Sequence, residues 1–150
     1  MTLDKFLKQD NCIILNSKTK TEAFHEMIDL VKDDSLVKDI ENLKKEIFYR
    51  EQIMSTGIGQ GIGIPHVRFG SIKEPQVYVG ISPEGLNDYD SIDNVPVKIV
   101  IMILVGAEQH KEYLRTLSLI VGRLKNEEII KSLFQVTSAN EILPIFIGEE

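Results

Sequence analysis

What the sequence is short of sets the first limits. It holds a single cysteine, Cys12, so no disulfide can form within the chain. Set in the apolar run CIIL, this cysteine reads as a small buried hydrophobe rather than a nucleophile. The longest apolar run, Ile99 to Val105, is far too short to cross a bilayer, and the N-terminal MTLDKFLKQD has no apolar stretch of signal-peptide length. Together these predict a cytoplasmic chain with no direct membrane insertion. Positive charge is scarce as well: 17 Lys and Arg stand against 23 Asp and Glu, a formal net charge of -6. The basic residues are scattered or paired with acids, as in Lys44, Lys45 and Glu46, so no basic stripe is available to neutralise a nucleic-acid backbone. Such a surface suits small molecules or basic protein partners.

With 150 residues, 43% of them hydrophobic, the chain is of a size to close one core, and one domain over 1–150 is expected. Two capping signatures mark helix starts, Thr19 with Glu22 in TKTE and Ser138 with Glu141 in SANE. After the first, Ala23, Phe24, Met27, Ile28 and Val31 recur at helical spacing and predict an amphipathic helix from Thr19 to about Lys32, with His25 on its solvated side. A second helix is predicted after Ser35, where Leu36, Ile40, Leu43 and Ile47 repeat. It runs to Arg50 or Gln52 and breaks at Ser55-Thr56-Gly57.

The period then changes. Val77, Val79 and Ile81 alternate with Tyr78, Gly80 and Ser82, which predicts a half-buried strand ended by Pro83. Val97 to Val105 is nearly continuously apolar, as in a central strand covered on both faces, and the turn-rich GLNDYDSIDNVP connects the two. From Gln109 the helical period returns, with Leu114, Leu117, Val121 and Leu124 on one face. No repeat or low-complexity tract interrupts this order. It predicts an α/β (α+β) fold, a mixed β-sheet flanked by helices on both sides.

Between the second helix and the first long strand lies GIGQGIGIPHVRFG, Gly57 to Gly70. It is not a Walker loop, which needs G-x-x-x-x-G-K-[ST]; no Lys followed by Ser or Thr comes after it nearby. Nor is it a dinucleotide fingerprint, because Ile62 and Ile64 stand where the third glycine would be required. Gly57, Gly59, Gly61 and Gly63 alternate with Ile58, Gln60, Ile62 and Ile64. In an extended segment this would set side chains on one face and bare backbone on the other, open to close approach; a flexible or bulged turn is the plainer reading.

His66 follows Pro65, whose ring stiffens the chain that presents the imidazole. A neutral imidazole is a nitrogen nucleophile near pH 7, and the phosphoramidate it forms is labile enough to pass its phosphoryl group on. Metal ligation and a structural hydrogen bond are the alternatives, and no HxH, HExxH or CxxC pattern supports the metal. His110 precedes Leu114, Leu117 and Val121 by four, seven and eleven residues, which puts it at a helix start on the inward face. There it reads as a core or capping histidine, or as part of an anion site at the helix N-terminus. Arg50 stands as either a bidentate phosphate donor or a surface partner of Glu46 or Glu51. A hydrolase using His66 as base lacks a nucleophile motif such as G-x-S-x-G.

Together these residues resemble a known family, the type-2 enzyme IIA components of the bacterial phosphoenolpyruvate-dependent phosphotransferase system, the fructose, mannitol and nitrogen-regulatory class. The resemblance runs through REQIMSTGIGQGIGIPH, then PEGLNDYDSIDNVPVKIVIMIL, then a histidine opening a leucine-spaced helix, and covers nearly the whole chain. It implies that His66 is the phosphorylated histidine, taking its phosphoryl group from a histidine phosphocarrier protein (HPr) or its paralogue. By the same resemblance His110 is the second active-site histidine and Arg50 steadies the phosphohistidine. It implies no metal or nucleotide cofactor, and a mixed sheet with helices on both sides. The phosphoryl group would pass to an enzyme IIB in sugar uptake or act as a regulatory signal; VRFGSIKEPQVYVGISPEG resembles the regulatory branch slightly more. Gly63 stands where the family usually has alanine, Val67 where a small residue follows the histidine, and Lys111 where leucine is usual. Val67 would then crowd a docking partner, and Val67 and Gly63 favour the alternative of a non-catalytic interaction module, whereas His66, His110 and Arg50 together favour the carrier.

Overall fold

The apolar run Val97–Val105 forms the central strand of a mixed six-stranded sheet. This is a computed structural model that describes residues 5–31, 39–70 and 72–148. The strands are β1 (Cys12–Ile14), β2 (Gly57–Gly59), β3 (Ile62–Gly63), β4 (His66–Arg68), β5 (Gln76–Leu86) and β6 (Val97–Val105). The helices are α1 (Lys20–Val31), α2 (Ile40–Ile53), α3 (His110–Leu124), α4 (Glu127–Phe134) and α5 (Ile142–Ile147). The sheet order is β1-β5-β6-β3-β2, and β4 pairs with the same edge of β6 as β3, further along it.

Alternation along β6 divides the core in two. Ile99, Ile101, Ile103 and Val105 pack with residues of α3, α4 and α5, such as Ile120, Leu133 and Phe146. Val100, Met102 and Leu104 pack with Phe24, Met27 and Ile28 of α1 and Leu43 and Ile47 of α2. All are nearly inaccessible, and burying each such side chain contributes roughly 1.5–3 kcal/mol. The expected two-sided sheet is therefore present. Among the described residues no helix is long and apolar enough to cross a membrane. Cys12 is buried as expected, and burial pushes its thiol up to about 12.

Five expectations need adjustment. The strand expected to end at Pro83 continues to Leu86, because a register shift against β6 between Ile81 and Leu86 leaves the proline free of any ladder bond it could not make. It is also buried on both faces, since Gly80 lets Met27 and Leu15 close over it. Helix α2 ends at Ile53, one residue beyond the expected limit, while its expected start near Ser35 and the Lys32 end of α1 lie outside the described residues. On α3 the buried stripe is Thr116, Ile120 and Leu124, and Leu114 is half exposed. Leu117 and Val121 are half-buried and line an open cleft, and Leu117 also packs against the edge of the core. The Thr19 cap does open α1, with the Glu22 amide donating to Thr19 Oγ1 at 3.2 Å, whereas the Ser138–Glu141 box opens a short 3-10 turn ahead of α5.

The glycine stretch is a hairpin, not one extended segment. Strands β2 and β3 are antiparallel, and the chain reverses through Gln60 and Gly61, both with positive φ (58° and 80°). The reversal splits the isoleucines: Ile58 is exposed, while Ile62 and Ile64 are buried. The bare backbone faces the protein's own interior. A Cβ on Gly57 would lie 2.2 Å from the Asp90 carbonyl oxygen, and one on Gly63 would lie 2.5 Å from the Tyr89 ring. Gly63 thus replaces the alanine expected there because Tyr89 already fills the space. Gly57→Ala is expected to cost about 1–3 kcal/mol through this overlap, measured as a lower midpoint in urea with an unchanged slope.

Candidate active site

His66 opens β4 immediately after Pro65, whose carbonyl accepts from Ile103 of β6 at 2.9 Å, so the histidine backbone is fixed to the central strand. Its Nδ1 lies 2.9 Å from the Ile64 carbonyl oxygen. A carbonyl can only accept, so Nδ1 carries the ring proton and Nε2 keeps its lone pair. The ring stacks on Tyr113 of α3, with centroids 5.5 Å apart and planes 28° apart.

Strand alternation then places Val67 in the core beside α1 and α2, with 1% of its surface exposed. The expectation that Val67 crowds a docking partner is corrected: its side chain points to the opposite face of the sheet from His66. Lys111 is exposed on the first turn of α3.

Arg50 sits in the last turn of α2, where its guanidinium comes 3.9 Å from Glu46, the surface pairing foreseen as an alternative. It also lines a recess of about 160 Å³ together with His66, Arg68, His110 and Tyr113. The fold thus brings His66, His110 and Arg50 to one place. His110 is the first residue of α3, but it is exposed and not turned inward as expected. The turn before it sets this direction: the Gly106 amide donates to Gln109 Oε1 at 2.6 Å, and Gln109 Nε2 donates to the Lys73 carbonyl at 2.9 Å. Arg68 Nη1 stands 3.4 Å from His110 Nδ1. Burial raises the Tyr113 hydroxyl pKa, and the charges of Arg50 and Arg68 oppose that rise.

Arg68 and Tyr113 were not singled out from the sequence. Arg68 lies two residues beyond His66 on a strand, hence on the same face, and Tyr113 lies three beyond His110 on a helix. Those offsets are the signal that could have found them.

The recess opens into a cleft of about 620 Å³ between the end of α2 and α3, with Tyr49, Ile53, Met54 and Ile58 exposed on its rim. Behind it runs a buried polar chain. The Glu51 carboxylate accepts from Lys20 Nζ at 2.8 Å, from the Thr56 amide at 2.9 Å and from Thr56 Oγ1 at 3.0 Å. With its own proton given to Glu51, Thr56 Oγ1 accepts a short hydrogen bond from the Tyr89 hydroxyl. Burial and the Glu51 charge both push that hydroxyl up, so it stays a donor. The Thr56 carbonyl accepts from the Ile64 amide at 3.0 Å, and the Ile64 carbonyl holds His66. Among the described residues no group of three or more His, Cys, Asp or Glu is placed to hold a metal ion.

The model of the family described as "Phosphoenolpyruvate-dependent sugar phosphotransferase system, EIIA 2" matches residues 5–148. The chain belongs to this family. As an enzyme IIA component it is a phosphoryl carrier of the phosphotransferase system. It is 34% identical over 131 residues to the fructose-specific EIIABC component of Bacillus subtilis, covering 87% of this chain and 20% of that much longer protein. It is 33% identical over 124 residues to the fructose-specific EIIA component of Haloferax volcanii, covering 83% of this chain and 80% of the relative. Against the nitrogen regulatory protein of Escherichia coli K12 the identity is 38% over 104 residues, covering 69% and 64%. The crystal structure of nitrogen regulatory protein IIA-Ntr from Neisseria meningitidis superposes with a TM-score of 0.84 at 28% identity, covering 96% of this chain and 98% of that one.

The enzyme IIA hairpin is tethered at its tip by Asp93, which accepts from the Gln60 amide at 2.8 Å and the Val95 amide at 3.1 Å. These bonds hold its carboxyl below the ordinary 3.8. A lowered folded pKa contributes stability above the unfolded value and loses it as pH falls through the folded one. Asp93→Ala is therefore expected to be less stable than wild type at neutral pH, with the difference vanishing below pH 3.8 in thermal melts across a pH series.

Proposed function

We propose that His66 accepts the phosphoryl group on Nε2. The observation that carries this reading is the bond from Nδ1 to the Ile64 carbonyl, which reserves the lone pair of Nε2 for the reaction. The Nε2 lone pair attacks the phosphorus of a donor phosphohistidine in line. The new N–P bond forms as the donor's N–P bond breaks, and the donor nitrogen takes back that electron pair. Arg50 in the recess, with His110, supplies N–H donors for the charge spread over the phosphoryl oxygens. The donor's N–P bond is already activated, so this reading needs no nucleotide or metal.

The donor is a histidine phosphocarrier protein, HPr or its paralogue, which docks in the cytoplasm on the exposed apolar rim of Tyr49, Ile53, Met54 and Ile58. A solved complex of the mannitol enzyme IIA with phosphorylated enzyme IIB, both from Escherichia coli, has the same fold at 22% identity and a TM-score of 0.77. That complex supports an enzyme IIB as a receiver. The non-catalytic alternative rested on Val67 and Gly63, and a buried Val67 and a Gly63 fitted against Tyr89 no longer favour it.

For the use of the phosphoryl group we take the regulatory reading, supported by the 0.84 TM-score and by 38% identity to a nitrogen regulatory protein. Sugar uptake is the second reading, supported by longer matches to fructose-specific relatives at 33% and 34% identity.

Incubation with phosphoenolpyruvate, enzyme I and the donor carrier is expected to add one phosphoryl group by intact mass, lost in acid and absent from His66→Gln. Mixing the phosphorylated protein with a fructose-type enzyme IIB separates the two uses. The regulatory reading expects the label to stay on His66, and transfer to the IIB favours sugar uptake.

A further inference from the structure

We propose that Arg68 is a positioning residue for phosphoryl transfer, acting through His110; this rests on His66 being the acceptor. Arg68 closes β4, where its Cα pairs with Val105 at the end of β6. From that point the chain turns at Gly106 and enters α3 at His110, so the strand end and the helix start stand side by side. Because Val67 turns into the core, Arg68 shares the outer face of β4 with His66. Its guanidinium and the His110 ring both line the recess that holds His66 and Arg50.

The chemistry of the 3.4 Å contact between Arg68 Nη1 and His110 Nδ1 has only one direction. A guanidinium has donors and no acceptor, so His110 Nδ1 supplies the lone pair and the ring proton is on Nε2. The two histidines are thereby held in opposite tautomers. A carbonyl fixes His66 with its lone pair on Nε2, and a guanidinium fixes His110 with its proton on Nε2. One ring is a nucleophile and the other a donor for the phosphoryl oxygens.

The test uses the full chain with Arg68→Met, Arg68→Lys, His110→Ala and the Arg68→Met/His110→Ala double variant. Phosphorylation is followed from phosphoenolpyruvate through enzyme I and the donor carrier. Arg68 is exposed, so Arg68→Met is expected to keep the wild-type melting temperature and still take one phosphoryl group. Its kcat is expected to fall by roughly 10- to 100-fold with little change in KM for the donor. Arg68→Lys restores most of the rate, and Arg68→Met adds little in the His110→Ala background. In 15N-labelled protein the His110 Nδ1 resonance moves in Arg68→Met to that of a pyridine-type nitrogen without a hydrogen bond. Wild-type kinetics in Arg68→Met, losses that multiply in the double variant, or an unmoved His110 Nδ1 resonance would each overturn the proposal while leaving His66 as acceptor. Phosphorylation of a His66→Gln control overturns the acceptor reading itself, and the proposal with it.

Discussion

The site depends on one buried carboxylate. Glu51, at 7% side-chain exposure, sits where α1, α2, the loop before the hairpin and the turn after β5 converge. An isolated carboxylate there would cost several kcal/mol in lost hydration. Here three donors, Lys20 Nζ, the Thr56 amide and Thr56 Oγ1, replace the water. Because Thr56 then binds Tyr89 through its hydroxyl and Ile64 through its carbonyl, the same charge fixes the distance between the end of α2, which carries Arg50, and the strand that carries His66. Lys20 also lies 4.3 Å from the centroid of the Tyr89 ring, so the positive end of the pair is itself packed.

Much of the fold was legible because it follows from period and composition. β6 could be read as central because an almost unbroken apolar run has no polar face to show to water. Helix α1 could be read from its cap and stripe. Pro83 misled because a proline ends a strand only where its missing N–H was needed, and a register shift removes that need. Leu114 misled because its spacing fits the apolar repeat, yet the face that meets the core is the one carrying Thr116, Ile120 and Leu124, which leaves Leu114 half exposed.

The site itself was legible in part. His66, His110 and Arg50 stand in or beside recognisable patterns, and the fold gathers them around one recess. Three things required coordinates. The hairpin turned the glycines toward Asp90 and Tyr89, a contact between residues some thirty positions apart that no local spacing encodes. Val67 went into the core because β4 alternates, which the sequence allowed but its three-residue length concealed. Glu51 looked like one more surface acid until Lys20, thirty-one residues earlier, closed over it.

The narrow geometry around His66 also bears on the order of events in transfer. The imidazole is held from below by its own backbone and on one side by Tyr113, and Nε2 is the ring nitrogen that keeps a lone pair for transfer. On the proposed reading donor and receiver must each meet that one nitrogen in line, so they engage it in turn. Transfer then follows ping-pong kinetics, in which the first partner leaves before the second arrives. The carrier's occupancy then reflects the balance between phosphorylated donor, which loads it, and unphosphorylated receiver, which empties it.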